Sequence, residues 1–185
     1  DIKKAGNPNA YNRKPFSKTE VKKIWDVKDS NIYYTVILML IYTGCRIGEL
    51  LDLKKENVNL EERYFKIVAS KTAAGIRTAP ISEKVYPFFE YWYNLNDCEY
   101  LLSTPEGEHF KYRNYYDSYW SPLIETLGMK HRPHDTRHTC ISMLTVAGVS
   151  DKVIKKIVGH KGQGVTEVVY THFEIEELID AINKI

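Results

Sequence analysis

The sequence predicts a mainly α-helical domain carrying one small antiparallel β-hairpin or sheet, an α+β architecture, and three observations lead there. Apolar residues recur at helical spacing through most of the chain, helix-starting residues stand ahead of several of these runs, and only residues 64–69 and 76–81 have the composition of strands. With 185 residues, 43% of them hydrophobic, the chain is long enough to bury one core without staples. Cys45, Cys98 and Cys140 form no CxxC pair and are odd in number, which suits reduced thiols and supplies no metal site. No apolar run approaches the length of a bilayer span and the first residues have no secretion pattern, so a soluble cytoplasmic protein is expected.

Each element can be justified in order. Residues 1–15 are polar, contain Gly6, Pro8 and Pro15, and read as a linker from an upstream region. Ser17 and Glu20 form a capping box, with Phe16 and Val21 as its hydrophobic staple, for a helix reaching about Lys28. Residues 31–42 are apolar nearly all round and predict a buried central helix stopped by Gly44. Arg46 opens a short helix to Leu53, with Ile47, Leu50, Leu51 and Leu53 on its core side. Glu49, three residues after Arg46, reads first as a surface ion pair of small energetic consequence and second as a brace for a functional arginine.

Tyr64–Ala69 and Ile76–Ile81 then predict a hairpin around a turn at 70–75, from which Lys71 projects. Ser82 begins a helix over 82–94 whose Val85, Phe88, Phe89 and Trp92 read as core. Residues 112–127 hold an aromatic-rich helix, and Tyr115, Tyr116, Tyr119 and Trp120 also read as packing. His109 lies in a polar loop and reads as a surface residue. After Gly128 a helix spans about Asp135 to Ala147, and a second, capped by Ser150, ends near Gly159.

The chemistry is concentrated between Arg132 and Tyr170, where Pro133-His134-Asp135-Thr136-Arg137-His138, Val158-Gly159-His160 and Tyr170 follow one another. Arginine and histidine are poorly tolerated in a core unless paired, so a cationic fork, imidazoles and a phenol gathered here point to a phosphodiester. A net charge of +2 is mild, but its distribution is uneven. Residues 1–30 hold eight Lys or Arg against four acids and residues 130–161 seven against two, whereas residues 162–185 hold one Lys against five acids. A non-catalytic helix-turn-helix DNA-binding module is the alternative, with Lys152, Lys155 and Lys156 entering a groove, but it gives Tyr170 no role. His134 and His138 have zinc-ligand spacing, yet an arginine between them opposes a dication.

Thr43-Gly-Cys-Arg-Ile-Gly-Glu-Leu50, Ser70-Lys-Thr-Ala-Ala-Gly-Ile-Arg-Thr-Ala-Pro-Ile81, His134-Asp-Thr-Arg-His138, Val158-Gly-His160 and Val169-Tyr-Thr-His172 together resemble the catalytic domain of tyrosine recombinases of the phage-integrase type. The resemblance implies that fold, with residues 1–15 linking to an absent amino-terminal DNA-binding region, 16–173 as the catalytic domain and 174–185 as a carboxy-terminal helix. It implies that Arg46 and Arg137 clamp the phosphate, Lys71 protonates the leaving oxygen, His134 and His160 assist, Glu49 braces Arg46, and Tyr170 is the nucleophile. His138 and His172 are expected to be structural or groove-facing.

A phosphotyrosine retains the phosphate-ester energy, so the implied reaction on double-stranded DNA needs no cofactor, neither metal nor ATP. The implied assembly is a homotetramer on DNA, with accessory DNA-bending factors as further partners and no membrane. Ile175, Leu178, Ile179, Ile182 and Ile185 fall on one helical face, which either folds back on its own domain or, as its position after Tyr170 and the resemblance favour, docks on a neighbouring copy.

Overall fold

The computed structural model describes residues 13–70, 72–160 and 172–185, the side chains of 172 and 173 excepted. Helix α1 (Lys18–Val27) starts with the expected reciprocal cap: Glu20 N donates to Ser17 Oγ at 3.1 Å and Ser17 N donates to Glu20 Oε1 at 2.9 Å. Phe16 and Val21 are both buried beside it. Helix α2 (Tyr33–Thr43) is buried along its whole length because α1, α4 (Tyr86–Asn94) and α7 (His134–Val146) surround it. That position explains why its sequence shows no polar stripe. Gly44 ends α2 at φ +68°, and a Cβ there would stand 2.6 Å from Val158 Cγ1, so both the backbone and the space require glycine.

Helix α3 (Ile47–Leu51) is shorter than expected, and Arg46 is the extended residue before it rather than its first turn. Strands β1 (Val58–Asn59), β2 (Tyr64–Ile67) and β3 (Arg77–Pro80) form an antiparallel sheet in the order β1-β2-β3, with Phe65 opposite Ala79 and Ile67 opposite Arg77. The hairpin is the expected one. Its strands are shorter because Val68 and Ile76 leave the ladder, and both are exposed. Two-residue β1 carries too little alternation to be read from sequence.

Helix α4 begins four residues after the expected Ser82. Pro87 is the reason: in a helix begun at Ser82 it would lie beyond the first turn, lacking an N–H and clashing with the preceding turn, whereas a start at Tyr86 places it where a proline fits. Phe89 and Trp92 are buried, as expected. The run expected over 112–127 consists of α5 (Tyr112–Tyr115), a wider helical turn at Tyr116–Trp120, and α6 (Ser121–Thr126). Ser121 N reaches back to Tyr116 O just ahead of Pro122, whose missing N–H interrupts the regular ladder. His109 is exposed, as expected, with its ring stacked 3.6 Å from Tyr100 and 2.9 Å from Asp52 Oδ1.

Helices α7 and α8 (Asp151–Val158) follow the predicted turn, and Val153 N donates to Ser150 Oγ at 3.3 Å. Helices α8 and α9 (His172–Ile182) both pack on β3 and so cover that edge of the sheet. Of the two placements open for the apolar face of α9, the single chain shows the cis one, with Ile175 and Ile179 only half-buried. Leu178, Ala181, Ile182 and Ile185 are buried here, and Glu83 N donates to Asn183 Oδ1 at 2.9 Å.

Candidate active site

The start of α3, the end of β2 with residues 68–70, and the start of α7 line a cleft of about 1100 Å³. Arg46, Glu49 and His134 line it, together with Arg13, Lys66 and Arg132. Arg137 lies behind them, one turn after His134 and almost fully buried. Its Nη1 donates to Gly44 O at 3.0 Å and to Val158 O, carbonyls that the ends of α2 and α8 leave without helical partners. Arg137 Nη2 is buried with no hydrogen-bond partner among the described residues. Leaving such a donor unpaired costs about 1–3 kcal/mol, which an anionic oxygen placed there would offset. Burial, followed by the charges of Arg46 and Arg77, lowers Arg137 to about 10, which keeps it charged at neutral pH.

Glu49 corrects the surface-pair expectation. Its side chain is only 5% exposed, because the carboxylate is enclosed by Arg77, which sequence reasoning did not single out. Arg77 Nη1 donates to Glu49 Oε2 at 2.9 Å and Nη2 to Oε1 at 3.1 Å. Burial pushes the Glu49 carboxyl up, but the bonds and charge of Arg77 and the Arg46 amide outweigh it and hold the group below the usual carboxylate range. Arg46 N donates to Glu49 Oε1 at 2.9 Å, fixing the start of α3. The guanidinium is less engaged: Arg46 Nη1 stands 3.6 Å from Glu49 Oε2 and has no hydrogen-bond partner among the described residues.

A signal for Arg77 was present. It alternates with Ala79 and Ile81 along the predicted strand over 76–81, and an arginine in line with such apolar residues requires a buried acid. What the sequence lacks is any local indication that the acid is Glu49.

His134 is half-buried, and burial, then the charges of Arg13, His138, Arg137 and Arg46, lower its pKa to about 4. It is therefore neutral at neutral pH and can accept a proton. His138 lies edge-on to it with ring centroids 5.1 Å apart, and burial followed by Arg13 also lowers this ring's pKa. Among the described residues no group of three or more His, Cys, Asp or Glu side chains is placed to hold a metal ion.

His160 is exposed immediately after α8, where Gly159 turns at φ +70°. A Cβ on Gly159 would stand 2.6 Å from Arg77 Nη1, so this turn and the buried arginine are packed directly together. Lys71 and Tyr170 lie outside the described residues. His131 is a second residue the sequence reading passed over. It stacks on Phe16 at 3.8 Å, with Nδ1 2.9 Å from Asp135 and Nε2 3.0 Å from Glu20, and so fastens α1 to the head of α7.

The arrangement defines a class before it defines a family: unpaired guanidinium donors beside a neutral imidazole suit a phosphate ester about to gain charge. The model of the phage integrase family matches residues 14–177, and the chain belongs to that family. It is 30% identical over 191 residues to the tyrosine recombinase XerA of Pyrococcus horikoshii, covering 100% of this chain and 66% of that protein. Among solved structures it resembles the integrase from mycobacterium phage Brujita, with a TM-score of 0.76 and 20% identity over 99% of this chain and 61% of that one. It also resembles a lambda integrase tetramer bound to a Holliday junction, with a TM-score of 0.66 and 16% identity over 87% of this chain and 51% of that one. The chain thus spans somewhat less than two thirds of the length of the relatives it matches.

Proposed function

We propose that this chain is the catalytic part of a tyrosine-type site-specific DNA recombinase, which cleaves and rejoins DNA through a covalent 3′-phosphotyrosyl intermediate. The Tyr170 phenol oxygen attacks the scissile phosphorus and loses its proton with the help of neutral His134. The 5′ oxygen leaves, taking a proton from Lys71. Arg46 and Arg137 hold the non-bridging oxygens, and His160 donates to one of them. Rejoining runs the same steps in reverse, so the phosphate-ester energy is retained throughout and neither ATP nor a metal enters.

The observation that supports this reading most directly is the pair of donors Arg46 Nη1 and Arg137 Nη2, each buried at one site with no hydrogen-bond partner among the described residues. Two guanidiniums with open donors fit the equatorial oxygens of a five-coordinate phosphorus better than any core role.

In this proposal residues 16–173 act as the catalytic unit, residues 1–15 join it to a DNA-binding region, and double-stranded DNA at specific sites is the substrate. A homotetramer on DNA, formed by exchanging α9 between copies, extends the proposal. The face buried by α9 in cis is the face such an exchange would bury in trans. Accessory bending factors and residence with DNA in the bacterial cytoplasm belong to the same reading, and among the described residues no helix is long and apolar enough to cross a membrane.

The test is a denaturing-gel assay with nicked suicide duplexes that trap the cleaved strand. Wild type is expected to form a covalent protein–DNA adduct, and Tyr170→Phe to form none while keeping noncovalent binding. DNA binding without any adduct by wild type would return the chain to a non-catalytic helix-turn-helix module. An adduct from the Phe variant would move the nucleophile to another tyrosine.

A further inference from the structure

We infer that Arg77 is a positioning residue for Arg46: by taking both carboxylate oxygens of Glu49 it leaves the Arg46 guanidinium available to bind a phosphate. The inference rests on the proposed phosphoryl-transfer reaction and adds to it a residue that touches no substrate.

The geometry is specific. Arg77 meets Glu49 with two nitrogens, at 2.9 and 3.1 Å, whereas the nearest Arg46 side-chain nitrogen stays at 3.6 Å, beyond hydrogen-bond range. Arg77 is itself held from two further directions. Its Nε donates to Ile157 O at 2.9 Å, and its Nη1 donates to Gly75 O at 2.6 Å. The side chains of Arg77 and Glu49 are 1% and 5% exposed, so solvent screens the pair little. Only a guanidinium presents two parallel donors to a carboxylate, and lysine cannot occupy both oxygens at once.

Charge leads to the same conclusion. Among the described residues, Arg46, Arg77 and Arg137 around Glu49 leave this inner group of side chains with two net positive charges, matched to a phosphodiester that gains negative charge as it becomes five-coordinate. If Arg77 were neutral, the buried Glu49 carboxylate would have Arg46 as its nearest cation and would close onto it. Arg46 would then lose both its open donor and its net charge.

Arg77 also ties this pair to the rest of the cleft. Its bonds to Gly75 O and Ile157 O connect the foot of the hairpin turn and the end of α8 to the carboxylate that fixes Arg46. Ser70 Oγ, at the other foot of the turn, donates to Glu49 Oε2 at 3.4 Å.

The experiment is a cycle of Arg77→Met, Glu49→Gln and the double variant. Each is assayed for cleavage of a normal duplex and of one whose scissile phosphate is a methylphosphonate, which carries no negative charge and makes little use of the arginine clamp. Arg77→Met is expected to slow cleavage of the phosphate roughly 100-fold, the scale of a misplaced reacting group, with DNA affinity near wild type. That deficit should largely disappear on the methylphosphonate. In the Glu49→Gln background, adding Arg77→Met should change the rate little, because no carboxylate remains to capture Arg46. Equal deficits on both substrates, or the full loss persisting in the Glu49→Gln background, overturn the inference. The cycle still decides if Arg77→Met alone fails to fold, since the double variant leaves no buried charge exposed to a missing partner. If wild type forms no adduct on either duplex, it is the proposed reaction that has failed; a wild-type adduct with uniform deficits in the variants overturns the role of Arg77 alone.

Discussion

His131 Nδ1 stands 2.9 Å from Asp135 Oδ2, one helical turn apart at the head of α7, and the same ring reaches back to Glu20 on α1. The side chain of His131 is 6% exposed and that of Asp135 is 0%. This buried bridge spans the start of α7, with His131 ahead of His134 and Asp135 between His134 and Arg137, so it holds the turn that carries both site residues.

Replacing His131 by Ala should therefore lower stability by about 2–3 kcal/mol, through two lost polar contacts and a lost ring stack. Urea unfolding measures it, and a change inside the error of the method would refute the bridge. Partial burial raises the Glu20 carboxyl, but the Ser17 amide and His131 outweigh it and hold the pKa below its ordinary 4.5. A depressed carboxyl stabilises the fold above its unfolded pKa and loses that contribution as pH falls through the lower folded value. The stability gap between wild type and His131→Ala should narrow on acidification below pH 4.5.

Arg46→Lys and Arg137→Lys should each slow adduct formation by about 10²–10³ although charge is kept, because the paired donors are lost. They should differ in stability. Arg137 also closes the ends of α2 and α8 through Gly44 O and Val158 O, so its variant should unfold at lower temperature, while Arg46→Lys should unfold near wild type. Wild-type cleavage rates in either variant would remove that arginine from the clamp.

His134 should titrate near 4 by NMR in the free protein. Between pH 6.5 and about 4 the unfolded chain binds a proton at this residue and the folded chain does not, so its contribution to stability falls with acidification across that window. His134→Gln should flatten that part of the stability profile. Inorganic phosphate bound at the cleft should raise the His134 pKa by supplying the opposite charge. An unshifted titration with phosphate bound would place the anion elsewhere.

Leu178→Ala should destabilise the isolated chain by about 2–5 kcal/mol, since this leucine of α9 is buried in cis. Truncation after Phe173 should expose the surface of β3 and α8 and lower the unfolding temperature of the single chain. An unchanged melting curve in both would mean that α9 is not docked in cis in solution. On DNA, the same truncation should weaken assembly on paired sites more than binding to one site, and equal effects on the two would argue against an exchange of α9.

The sequence by itself determined the order and type of the main elements: the Ser17–Glu20 cap, the all-apolar α2, the hairpin around residues 70–75, the Ser150 cap and the glycine stops. Through its resemblance to the family it also nominated Arg46, Lys71, His134, Arg137, His160 and Tyr170, the residues on which the proposed chemistry rests. These are local signals: a cap acts within one turn, helical and strand periods show on neighbouring side chains, and a motif is a short run. Only the tertiary structure decided that Glu49 is buried and shared between Arg46 and Arg77, that His131 joins Glu20 to Asp135, and that α9 covers its own β3. The partners Glu49 and Arg77 are 28 residues apart and Glu20 and His131 are 111 apart, and no periodicity connects them. Burial removes the water that would otherwise solvate such charges, so pairs of this kind form only where the folded chain brings the two partners together.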